Sequence, residues 1–119
     1  MKRVVITGMG IVSSIGNNVE EVLMSLKAGK SGITASEQFK EQGLRSQVWG
    51  DLKINPAEFI DRKQMRFMGD AAAYAYLSMQ QAIEDAGLSE EQVSNDRTGI
   101  VAGSGGASAL NQTVATDTM

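Results

Sequence analysis

Val4-Val5-Ile6 runs without interruption into a turn carrying Gly8 and Gly10, and Gly16 follows before the first helical signal. A continuous apolar run of this kind suits a strand covered on both faces, and the sequence predicts one over Lys2 to Val12. A strand leading into glycines is also how many dinucleotide-binding domains begin. Their fingerprint places glycines first, third and sixth in a turn that passes straight into a helix. Counted from Gly8, the sixth position is Ser13, and Ile11-Val12 resume the apolar run where that helix would have to start. The fingerprint fails in spacing and in context, so the glycines read as a structural turn in a long or bent central strand.

The helix comes later. Asn18-Val19-Glu20-Glu21 has the form of a capping box, and Val19, Val22, Leu23 and Leu26 share one helical face up to Gly29, which suits a left-handed stop. Ser31-Gly32 marks a turn, Ser36 to Gln42 a short helix, Arg45 to Lys53 a strand, and Asn55-Pro56 a turn or helix start. The longest predicted element is a helix from an Asp61 cap to the Gly87 stop. Its stripe is Met68, Ala72, Ala75, Met79, Ala82 and Ala86, with a break or restart allowed at Gly69. Gly99 to Gly103 reads as a second short buried strand. Ala107 to Met119 is small and polar and carries no stop signal of its own, and no repeat is visible.

Two absences bound the chemistry. The 119 residues contain neither cysteine nor histidine, which excludes thiolate–zinc sites, disulfides and the commonest general base. No metal site or cofactor is indicated. A net charge of −3 and 5% aromatic residues argue against nucleic-acid binding. No apolar run is long enough to span a membrane, and Lys2-Arg3 precedes no signal-peptide pattern, so a cytoplasmic protein of one domain is expected. The adjacent acidic pairs Glu20-Glu21, Glu84-Asp85 and Glu90-Glu91 read as surface, since helical neighbours do not face each other.

Gly103-Ser104-Gly105-Gly106 approaches the nucleophile elbow of hydrolases, but a serine nucleophile needs a base that this chain lacks, so it reads as a glycine turn. Arg62, Lys63 and Arg66 are more informative. Three of eleven basic residues fall within five positions, at the start of a predicted helix where the macrodipole disfavours cations. Helix stability alone would select Asp or Glu there. The cluster therefore reads either as an acidic-partner site or as an incidental solvated face.

VVITGMGIVSSIGNN, GKSGIT, RSQVWG, DRKQMRFMGDAA, AIEDAGLS and IVAGSGG together resemble, in order and over nearly the whole chain, the N-terminal part of beta-ketoacyl-acyl carrier protein synthases. The likeness is greatest to type I of the bacterial fatty-acid pathway. That resemblance implies an α/β, thiolase-like fold, with residues 1–119 forming the N-terminal portion of the first of two α/β halves: an incomplete mixed five-stranded sheet with covering helices. It implies a homodimeric enzyme that elongates acyl chains by decarboxylative Claisen condensation, using a cysteine and two histidines. In the family those three lie further along the chain, so residues 1–119 are expected to be an inactive N-terminal fragment with no catalytic residue of their own.

The resemblance also gives the basic cluster a purpose. Arg62, Lys63 and Arg66 coincide with the family's docking residues for the acidic helix of acyl carrier protein, and Arg45 is expected near the same surface. Gly105 and Gly106 match a turn near the acyl pocket and dimer interface, where Ala107 replaces an expected glycine. The alternative is a non-catalytic module that binds acyl carrier protein or serves assembly.

Overall fold

The computed structural model describes residues 2–106 and 108–118; Ala107 lies outside them. The first helix, α1 (Val19–Lys27), starts as its sequence predicts: the Asn18 side chain accepts from the Glu21 amide at 2.9 Å. The reciprocal bond goes one residue earlier than a standard box, from the Asn17 amide to the Glu21 carboxylate at 2.8 Å. Gly29, with φ 63°, follows the helix in the left-handed region, where a side chain would be strained.

A short antiparallel pair follows. Strand β1 (Ile33–Ala35) and strand β2 (Val48–Gly50) pair Ile33 with Gly50 and Ala35 with Val48, and helix α2 (Glu37–Glu41) lies between them. Ser36 ends one element and starts the next. Its amide bonds the Gln47 carbonyl at 2.8 Å, and its hydroxyl caps α2 by accepting from the Phe39 amide at 3.3 Å. Phe39 then meets Trp49 edge-on, with ring centroids 6.3 Å apart.

After a 3₁₀ turn at Pro56–Glu58 come the one-turn helix α3 (Arg62–Met65), the long helix α4 (Asp70–Asp85), the short α5 (Glu90–Val93) and α6 (Ala109–Asp117). The predicted helix from Asp61 to Ala86 is thus two helices. Gly69 adopts φ −82°, ψ 168°, an extended conformation that ends one helical path and begins another.

Helix α4 organises the rest, and it does so on three sides. Ala73 and Leu77, one turn apart, are buried with Ile60 in the core, and Val12, Ile54, Met65, Met68 and Tyr76 pack against them. Ser78, Gln81, Ala82 and Ala86 instead face the N-terminal segment. A Cβ on Gly8 would overlap the Ala82 carbonyl oxygen, and one on Gly10 the Ser78 carbonyl oxygen, so these glycines permit the close approach. The Met9 amide donates to the Asp85 carboxylate at 2.9 Å and the Ile11 amide to the Gln81 side chain at 3.0 Å. The third side, Ala71, Ala72 and Ala75, lines a cavity described below. The predicted single stripe through Met68, Ala72, Ala75, Met79, Ala82 and Ala86 is corrected accordingly. A helix approached from three directions does not confine its small residues to one face.

The two buried strands predicted over Lys2–Val12 and Gly99–Gly103 are not seen as strands. Among the described residues the sheet has two strands, β1 and β2, and neither predicted segment joins a ladder. In the first region the nearest pairing is an isolated bridge between Ser13 and Gly16. Val4 is 93% exposed and Val101 fully exposed, so these apolar runs have the composition of central strands without neighbours beside them. Of the acidic pairs read as surface, Glu21 and Asp85 also fasten backbone amides.

Candidate functional site

The basic cluster sits on a turn held from below. Ile60 is buried, and Met65 and Met68 pack against the same core, which points one side of the turn inward. Arg62, Lys63, Arg66 and Phe67 are all exposed on the other side. A helical turn advances about 100° per residue, so positions 62, 63, 66 and 67 share one arc and 65 and 68 the opposite one. Asp61 caps the turn by accepting from the Lys63 amide at 2.8 Å, which aims its carboxylate at the backbone.

Among the described residues the three cations have no ion-pair partner, and the only ion pair there joins Lys40 and Glu37, at 3.6 Å. The Arg66 guanidinium instead lies 5.7 Å from the centre of the Phe67 ring. The dipole conflict expected for this cluster is relieved in two ways. A four-residue helix builds little macrodipole, and Arg66 is its C-cap, where a cation is favourable. Arg45 is exposed on the loop between α2 and β2, a different element from the turn that unites the other three.

The second candidate is the glycine turn. Gly106 lines a cavity of about 410 Å³ together with Gly69, Ala72 and Ala75 at the start of α4 and Ser108 and Asn111 of α6. Gly105 is not among the lining residues, and a Cβ at either glycine would meet nothing within 4 Å. The Ser104 hydroxyl donates to the Gly106 carbonyl at 2.8 Å, which uses it to shape the turn. The lining is small and uncharged, suited to holding an apolar chain and without a group to transfer a proton.

The chain has no cysteine or histidine, so neither place offers a thiolate or an imidazole. Among the described residues no cluster of three or more potential metal ligands occurs, and no helix is long and apolar enough to cross a membrane.

The sequence model described as the N-terminal domain of beta-ketoacyl synthase matches residues 1–119. The chain belongs to the beta-ketoacyl synthase family. It is 69% identical over 117 residues to 3-oxoacyl-[acyl-carrier-protein] synthase 1 of Haemophilus influenzae, covering 98% of this chain and 29% of that protein. To the synthase 1 of Escherichia coli K12 it is 58% identical over 120 residues, covering 100% of this chain and 30% of that protein. A crystal structure of a beta-ketoacyl synthase from Burkholderia phymatum superposes with a TM-score of 0.66 at 32% identity, over 77% of this chain and 23% of that one. The α/β fold is therefore that of a beta-ketoacyl synthase, and the chain spans about three-tenths of the curated relatives it matches.

What sequence reasoning missed is Phe67 beside the cluster and α6 beside the cavity. Ser108, whose side chain accepts from the Asn111 amide at 3.3 Å, was the available signal for α6. An apolar residue in an amphipathic turn carried no comparable signal.

Proposed function

We propose that residues 1–119 form the carrier-docking portion of a fatty-acid chain-elongating enzyme. That enzyme condenses acyl groups with malonyl-acyl carrier protein by decarboxylative Claisen chemistry. The family match over residues 1–119 carries this reading. Two near relatives are named 3-oxoacyl-[acyl-carrier-protein] synthases, which makes acyl carrier protein the partner of choice. In this reading Arg62, Lys63 and Arg66 receive the acidic helix of the carrier, with Arg45 at the margin. The catalytic cysteine and two histidines are supplied outside this segment. Gly105 and Gly106 leave room beside the acyl chain and the dimer contact. The whole enzyme is a cytoplasmic homodimer, and the exposed runs Val4–Ile6 and Ile100–Val101 are strands of a five-stranded sheet completed elsewhere.

Three cations without ion-pair partners among the described residues support the docking role, because bringing them to an acidic surface breaks no pair seen there. The test is titration of acyl carrier protein onto a synthase carrying this segment. Arg62→Glu with Lys63→Glu should abolish binding, and the wild-type affinity should fall steeply between low and high salt. Salt-independent binding, or binding that survives the double reversal, would overturn the docking role.

A further inference from the structure

Phe67 is 84% exposed on the same outward arc as Arg62, Lys63 and Arg66, while Met65 and Met68 on either side of it turn into the core. The chain could have hidden this ring by exchanging it with either methionine, since the turn continues through the bonds Phe67 N to Gln64 O (3.1 Å) and Met68 N to Met65 O (3.1 Å). It exposes the largest apolar group of the turn instead. The Arg66 guanidinium over the ring restrains it and sets a positive charge beside it. An exposed aromatic ring with an arginine beside it has the composition of an interface anchor.

We propose that Phe67 is the apolar anchor of the docking face, inserting among apolar side chains on the acidic helix of the carrier protein. The inference rests on the docking reading above and adds a second, salt-insensitive component to it. Charge decides the occupant. Whatever covers the ring also desolvates Arg66 and approaches the face that carries Arg62 and Lys63, and none of the three has an ion-pair partner among the described residues. An apolar interior segment of a longer chain would strand those charges, whereas an acidic helix satisfies them as it covers the ring. The exposed Phe59 ends the 3₁₀ turn that precedes α3 and lies off this arc.

The test uses an intact synthase carrying this segment, with 4-fluorophenylalanine at position 67 and acyl carrier protein as titrant. The fluorine resonance should respond to H₂O/D₂O exchange in the free enzyme and shift saturably with the binding midpoint. Phe67→Ala should weaken binding about tenfold and leave the salt slope unchanged. Should that variant unfold, the fluorinated ring, which preserves shape, gives the answer alone. A resonance indifferent to carrier or to solvent, in an enzyme whose binding the Arg62→Glu, Lys63→Glu reversal abolishes, overturns the anchor and leaves docking intact. Binding untouched by the reversal overturns both.

Discussion

The side-chain amide of Gln81 donates to the backbone carbonyl of Asn17 at 2.7 Å, joining residues 64 positions apart. The same side chain accepts from the Ile11 amide at 3.0 Å, so one glutamine of α4 satisfies a donor and an acceptor of the N-terminal segment. Gln81→Ala leaves both part-buried groups without partners, and a loss of about 1–3 kcal/mol is expected in thermal or urea unfolding. Gln81→Glu keeps the acceptor but sets a carboxylate against the Asn17 carbonyl. Its deficit should shrink as pH falls and the carboxyl gains a proton. A deficit independent of pH would show that the Asn17 bond contributes nothing.

Gly10→Ala tests the close approach to α4. The new methyl would overlap the Ser78 carbonyl oxygen and lie 2.8 Å from the Gln81 Cβ, and a helix backbone does not yield as a flexible side chain does. About 2–3 kcal/mol of destabilisation is expected, by analogy with overpacked cores. Gly103→Ala, where nothing lies within 4 Å, should stay within about 0.5 kcal/mol of wild type. Equal melting temperatures for the two variants would contradict the contact.

Burial first, and the nearby Asp70 carboxylate second, push the Tyr74 phenol above its ordinary value of 10.0. The folded protein therefore holds this proton more tightly than the unfolded chain. The stabilisation is complete below the ordinary phenol value and is lost as pH rises through the elevated one. Stability should fall above about pH 10, and Tyr74→Phe should flatten that part of the curve. A pH profile unchanged by the substitution would exclude Tyr74 as the cause.

Val4, Val5 and Ile6, with Ile100 and Val101, expose apolar backbone segments that no ladder covers. Residues 1–119 alone are expected to bind a hydrophobic dye and to sediment as concentration-dependent species. A sharp monomeric unfolding transition, independent of concentration and without dye binding, would refute this.

The sequence showed its local signals well. Asn18, Ser36, Pro56 and the φ 64° of Gly87 act where their chemistry places them, because caps and stops are settled within one turn. Strand identity was legible only as composition. Val4–Ile6 has the pattern of a central strand, but pairing depends on residues distant in sequence, and the ladder that forms is the one between β1 and β2. The core face of α4 was misplaced because its alanines serve three neighbours, and alanine fits each. In the docking turn, charge density disclosed Arg62, Lys63 and Arg66. The outward turn of Phe67 depended on which side of α3 met Ile60, a tertiary fact.

The bond from Ile11 to Gln81 spans 70 positions, and that distance has a consequence for biosynthesis. Residues 8–11 leave the ribosome long before the helix they rest on has been translated. At about 5–20 residues per second the interval is roughly 4–14 s, far longer than a hydrophobic collapse takes. During it the segment from Gly8 to Ile11 is open to chaperones and proteases. Nascent chains arrested before residue 81 clears the exit tunnel should be cleaved within residues 8–11, and chains arrested well beyond residue 86 should be protected around Gly8 and Gly10.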